Sequence, residues 1–266
     1  MVKLRWLSRI FKYLSYRTNL IEELKMLKRT LHKLRFNQMS YKLDSDRTAT
    51  RRRNFPVKQE TAMNQRIAQK IIDFLELSSE DKVLDIGCSE GFFSREFKNK
   101  SQYVCGIDFS PGMIKVAKKK GEGIANLSFK VATILDLPFK NEEFSKINCF
   151  SVIQYLDNFK QVQKAFHEIS RVLVAGGKAF VGGNYFSKNE VLHVISNHEA
   201  TNSPVLAKLS YLKNLFIFNF FPPILFFSKE NLFLLGRNSG LKVVFIRKTI
   251  DEPYEAIGMD ALFQKM

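Results

Sequence analysis

The chain has 266 residues, 45% of them hydrophobic, which excludes wholesale disorder and leaves room for one large α/β domain plus an appendage. Three scattered cysteines, Cys88, Cys105 and Cys149, rule against a disulfide framework and show no paired metal-ligand spacing, so a reducing, cytoplasmic setting is expected. The net charge of +16 is uneven: residues 1–53 carry fifteen Lys and Arg against four acids, and the remaining 213 residues hold only +5.

Residues 1–57 read as a basic amphipathic helical arm and linker. Leu20, Leu24, Leu27, Leu31 and Leu34 draw one apolar stripe along a helix over residues 3–36. Leu4, Leu7, Ile10, Phe11 and Leu14 make a similar face, with Arg5, Arg9 and Lys12 between them. Three uses fit this pattern: packing on the chain's own domain or in a homodimer, lying on a membrane surface, or contacting nucleic-acid phosphates with help from Arg51, Arg52 and Arg53. The first forty residues lack the apolar run of a secretory signal. Residues 40–57 are polar and charged, and read as a linker around Pro56.

Residues 58–266 read as a second unit, entered through an amphipathic helix over 60–77. Strands are expected at 82–87, 102–107, 127–131, 144–150, 178–182 and 242–248, with helices at 91–99, 111–120 and 160–173. Strands alternating with helices imply a doubly wound, mostly parallel α/β sheet. Residues 186–227 hold a cluster of phenylalanines and leucines too large for a simple connection, and read as a lid or cap. Its longest apolar run, Leu215 to Phe227, is broken by Asn219 and Pro222-Pro223 and is too short to span a bilayer.

The strongest motif is Val83-Leu84-Asp85-Ile86-Gly87-Cys88-Ser89-Glu90-Gly91. An apolar strand buried on both faces breaks into a glycine-rich turn and resumes as a helix, the arrangement in which backbone can closely approach a ligand. Twenty-three residues after Asp85, the strand Tyr103-Val104-Cys105-Gly106-Ile107 ends at Asp108. A carboxylate at that strand tip can accept both ribose hydroxyls of a nucleoside.

These residues resemble class I S-adenosylmethionine (SAM)-dependent methyltransferases, of the broad group related to small-molecule and ubiquinone-type enzymes. The likeness continues through Gly106-Ile107-Asp108-Phe109-Ser110-Pro111-Gly112-Met113, Asp136-Leu137-Pro138-Phe139 and Glu168 to Gly177, with a weaker tail to residue 265. The resemblance implies a Rossmann-like, seven-stranded sheet whose final, antiparallel strand is the stretch Tyr254–Lys265. It implies that Asp85 and Gly87 line the methionine end of SAM, with Gly91 allowing close packing behind, and that Cys88 and Met113 also belong to the cofactor site. Asp108 would hold the ribose, Phe109 would flank the adenine, Ile134 and Leu135 would sit under the adenine ring, and Thr133 would supply the contact to its amine. Phe150 and Ser151 would face the sulfonium. Ser89 stands in place of a middle glycine, Thr133-Ile134 in place of an acid-alanine pair, and Ser145 in place of an aspartate.

Methyl transfer requires no universal catalytic residue, and none is assigned. His193, His198, Tyr155 and Tyr185 lie where acceptor-side groups are expected. The expected function is methylation, on oxygen, of a small-molecule, glycan or lipid-linked acceptor. The alternatives are RNA methylation, disfavoured because the basic charge lies outside the core, and a non-catalytic scaffold that keeps the fold.

Overall fold

The computed structural model describes residues 57–185, 225–248 and 258–266. The basic arm, the leucine stripe, His193, His198 and nearly all of the 186–227 insert lie outside the described residues.

Helix α1 (Val57–Leu75) buries Met63, Ile67, Ala68, Ile71, Ile72 and Leu75, a three-and-four spacing that puts one stripe on the sheet. It ends two residues earlier than its pattern predicts because Glu76 takes φ 53°. The Glu76 amide turns back to the Asp73 carbonyl and the Leu77 amide to that of Ile72, which closes the helix in a Schellman arrangement. The following elements are β1 (Lys82–Ile86), α2 (Phe92–Lys98), β2 (Tyr103–Asp108), α3 (Pro111–Lys120), β3 (Leu127–Val131) and β4 (Phe144–Phe150). A short 3₁₀ turn (Ile153–Tyr155) leads to α4 (Phe159–Val172), β5 (Leu173–Tyr185), α5 (Lys229–Arg237), β6 (Leu241–Lys248) and β7 (Gly258–Lys265). Three helices are started by side-chain caps: Ser110 on α3, where Pro111 takes the first position, Asn158 on α4 and Ser228 on α5.

Seven strands form one sheet in the order β3-β2-β1-β4-β5-β7-β6. The first five run parallel, and β7 pairs antiparallel with both β5 and β6. The seven-stranded doubly wound sheet is therefore present as expected. Strand β5 is longer than its apolar run predicts, because Leu173 pairs with Phe144 as soon as α4 ends, and the pairing with β7 carries the strand on to Tyr185.

One apolar cluster, built on Ile147, Phe166, Val181 and Phe263, lies on one face of the sheet; a second, built on Ile71, Leu75, Phe180 and Leu262, is formed where α1 packs. The chain moves outward from β1 to β2 and β3, then returns to place β4 on the other side of β1. That reversal opens a crevice at the carboxyl ends of β1 and β4, where an open α/β sheet binds its ligand. Among the described residues, no helix is long and apolar enough to cross a membrane.

Candidate active site

The turn after β1 is held against the end of β2. The amides of Gly87 and Cys88 both donate to the Ile107 carbonyl, at 2.8 and 2.9 Å, and the Gly91 amide closes the turn on the Cys88 carbonyl at 2.8 Å. Gly87 has φ 74°, and a Cβ there would fall 2.3 Å from a methyl of Val152. Glycine at this position lets the segment after β4 press against the turn. Gly91 has φ 79°, and a Cβ would strike the Phe129 ring at 2.6 Å, so this glycine serves packing behind the turn, as anticipated. Ser89, at the middle position, also adopts a left-handed φ of 51°.

Asp108 sits at the tip of β2, largely buried. Its Oδ2 accepts from the Ser89 amide at 3.1 Å and its Oδ1 from the Ser110 amide at 2.9 Å. Each oxygen keeps a second lone pair, so the carboxylate is oriented by protein and can still receive two hydroxyl donors. Burial pushes its pKa up, while the two amide donors and the nearby Glu90 charge act in opposite directions on it. Phe109, next in the chain, is 44% exposed. Met113 is fully buried against the turn, where its sulfur meets Ser89 Oγ at 3.6 Å.

Asp85 is enclosed beneath the turn. Its Oδ2 accepts from Ser94 Oγ at 2.5 Å and its Oδ1 from Asn148 Nδ2 at 2.8 Å. Desolvation pushes its pKa up to about 6 against the pull of those two donors, with the Asp108 charge adding to the rise. Cys88 is buried beside it, and burial raises its thiol pKa well above the ordinary value.

The loop after β3 reaches the same edge. The Ala132 amide donates to the Asp108 carbonyl at 3.0 Å, and Thr133 bridges to Asp136. Thr133 is exposed and its Oγ1 accepts from the Leu135 amide at 3.3 Å; Ile134 is buried in the core and Leu135 packs partly against it. From α4, Glu168 accepts the Leu137 amide at 2.8 Å, and Arg171 donates to the carbonyls of Leu137 and Phe139. At the end of β4, Phe150 meets Phe93 edge-on at 5.5 Å, and Ser151 takes φ 59° as its amide donates to the Gly182 carbonyl at 2.8 Å. Tyr155 lies on the 3₁₀ turn with its side chain exposed.

The structure thus gathers Asp85, Gly87, Cys88, Asp108, Phe109, Ala132 and Ser151 at one edge of the sheet. The sequence motifs pass over Ser94 and Asn148 and include Glu168 and Arg171 without a role. Asn148 did leave a trace, a polar residue inside the apolar run Ile147-Asn148-Cys149 of a central strand. Among the described residues, no group of His, Cys, Asp and Glu is arranged to hold a metal ion.

The residues present fit a nucleoside carrying a cationic tail: a diol acceptor in Asp108, the half-exposed Phe109 ring beside it, and the Asp85 carboxylate beneath the turn. Comparison with known proteins agrees. Residues 84–181 match the family model of the methyltransferase domain. An uncharacterized methyltransferase of Bacillus subtilis, YcgJ, is 31% identical over 130 residues, 48% of this chain and 50% of that protein. A demethylmenaquinone methyltransferase of Tropheryma whipplei is 30% identical over 107 residues, 40% of this chain and 43% of that one. The chain thus spans about half the length, or less, of these curated relatives. The crystal structure of N-methyltransferase NodS from Bradyrhizobium japonicum with S-adenosylhomocysteine (SAH) shares the fold, with a TM-score of 0.58 and 15% identity over 86% of this chain and 98% of that one. Residues 84–181 thus match the methyltransferase domain, on a fold shared with that solved methyltransferase.

Proposed function

We propose that the protein transfers a methyl group from SAM to oxygen on a small-molecule or lipid-linked acceptor. The observation that carries this reading is Asp108, at the tip of β2 beside the glycine turn, whose two oxygens are each oriented by one backbone amide and each retain a lone pair. Bound SAM supplies a methyl group on a sulfonium, ready for in-line displacement. An acceptor oxygen would supply the lone pair for the new carbon–oxygen bond and lose its proton to solvent, with the carbon–sulfur pair left on sulfur. The chain's own task is alignment and exclusion of water. Asp108 would hold the ribose, the Gly87–Gly91 turn would give backbone room to the methionyl end, and Phe150 and Ser151 would border the acceptor side. Support for a small or carrier-linked acceptor comes from one relative, a malonyl-[acyl-carrier protein] O-methyltransferase of Hamiltonella defensa, 38% identical over 91 residues, 34% of this chain and 33% of that one.

Calorimetric titration with SAM and SAH tests the reading. Micromolar binding that Asp108→Ala abolishes is the expected result; a well-folded protein that binds neither compound would sink it and favour a scaffold.

The proposal extends to place. The arm's excess positive charge and its apolar stripe support work at the anionic inner face of a membrane. Flotation of the full-length chain with phosphatidylserine vesicles is expected, and its loss above about 0.5 M salt would confirm the electrostatic share. Retention in the soluble fraction would reject membrane contact and leave the stripe to a homodimer.

A further inference from the structure

Two buried amide side chains beyond the glycine turn have no part in the reading so far. Gln154, on the 3₁₀ turn, and Asn184, near the end of β5, are both wholly enclosed. Gln154 Nε2 donates to Ser151 Oγ at 2.8 Å and to the Gly183 carbonyl at 3.3 Å. Asn184 Nδ2 donates to the Val181 carbonyl at 3.3 Å. These carbonyl partners settle which end of each amide is nitrogen, because the flipped rotamer would set oxygen against oxygen. Each side chain is therefore left with its oxygen: Gln154 Oε1 and Asn184 Oδ1 are buried and receive no donor. Buried acceptors in folded proteins are nearly always paired, so two left open on side chains that meet at Gly183, one bonded to its carbonyl and the other next to it in the chain, call for an occupant.

The backbone at this place is specifically shaped. The register of β5 against β7 shifts between Val181 and Asn184, and the Gly183 amide donates to Asp260 Oδ1 at 2.9 Å. Gly183 has φ 66°, and a Cβ there would lie 2.9 Å from the Phe150 ring; one on Gly182 would lie 2.4 Å from the Phe180 ring. Only glycines allow this irregularity, and such irregularities re-aim the side chain that follows, here Asn184. The same knot reaches the SAM side of the crevice, since the Ser151 amide bonds the Gly182 carbonyl and Val152 rests on Gly87.

We infer that Gln154 Oε1 and Asn184 Oδ1 recognise the methyl acceptor by taking a hydrogen bond from its O–H group, so that the substrates are alcohols or phenols and not carboxylates. The inference rests on the methyltransferase reading and names its substrate class. A carboxylate would bring only lone pairs to these oxygens and leave all of them unsatisfied. A hydroxyl supplies the missing donor, and a site built around such a bond discriminates strongly against an isostere that lacks it. Methylation of a hydroxyl removes that donor, so the product leaves a site that held the substrate.

The test is ligand-detected NMR on the full chain saturated with SAH, with phenol, anisole and benzoate as probes. Phenol is expected to bind about tenfold more tightly than anisole and benzoate, the worth of one net hydrogen bond of about 1.4 kcal/mol. Gln154→Met and Asn184→Leu each shrink that preference while SAH affinity holds within about twofold, as befits a separate subsite. Equal binding of phenol and anisole to the unaltered protein overturns the inference, with no variant needed. So does a preference that survives both substitutions, which would assign the two oxygens to internal water. Failure of SAH itself to bind would instead overturn the methyltransferase reading.

Discussion

Asp85 on β1 and Asn148 on β4 are hydrogen-bonded at 2.8 Å across the interior of the sheet, although 63 residues separate them in the chain. Adjacent parallel strands bring them together, with Asp85 registered opposite Asn148 itself. Ser94, on the helix that follows the glycine turn, supplies the second donor. The acid is thus held from both flanks of the crevice.

Asn148→Leu removes one donor from this enclosed carboxylate without opening a large void. The expected loss is about 2 kcal/mol of stability, typical of a hydrogen bond to a charged buried group. Urea denaturation measures it; a change below about 0.5 kcal/mol would mean that the bond is idle.

Stability should depend on pH through Asp85. Its folded pKa, about 6, lies above its ordinary value of 3.8, so the folded state binds the proton more tightly than the unfolded chain. A raised carboxyl favours folding at low pH and loses that advantage as pH climbs from about 4 to 6, by up to about 3 kcal/mol. Asp108 is shifted in the same direction. Unfolding free energies at pH 4, 5, 6 and 7 for the protein and for Asp85→Asn will show the difference: the variant's curve should lack most of this downward step.

The left-handed glycines separate two costs. Gly123 has φ 78° with open space around its Cβ position, whereas Gly87 has φ 74° and Val152 within 2.3 Å. Gly123→Ala is expected to cost about 1 kcal/mol, from backbone conformation alone. Gly87→Ala adds a steric clash and should exceed about 2 kcal/mol. Equal losses in thermal or urea unfolding would mean that the Val152 contact yields freely.

Arg171 ties α4 to the loop after β3 through Leu137, Phe139 and Asn141, and pairs with Glu168 at 2.8 Å. Arg171→Met retains the aliphatic stem and loses these bonds. Faster amide exchange over residues 132–141 is expected, with a several-fold weaker SAM affinity that follows from a looser Ala132–Asp108 junction. Exchange unchanged in that loop would assign its order to Ile134 and Leu137 alone.

All three cysteines are buried and free, and burial raises each thiol pKa. Thiolates are the reactive species, so native protein at pH 8 should react with a disulfide reagent at least about a hundredfold more slowly than unfolded protein. Fast labelling of one equivalent would point to local opening at Cys88.

The amino-acid sequence by itself determined the alternation of strand and helix, the glycine turn after β1 and the acid at the tip of β2. These are local: periodicity, turn chemistry and short spacing declare them within a few neighbouring residues. Tertiary structure decided the rest. Asp85 carries no mark in the chain of its burial, its raised pKa or its tie to Asn148, because all three depend on a strand contributed 63 residues later. Ser145, noted only as a departure from an aspartate, proves to accept the Lys82 amide and to donate to Asp81 at 2.7 Å across the same strand pair. Gln154 and Asn184 read as ordinary polar residues until packing withdraws solvent and their nitrogens find carbonyls. Desolvation and hydrogen-bond pairing are properties of a neighbourhood, and a folded chain assembles its neighbourhoods from distant segments.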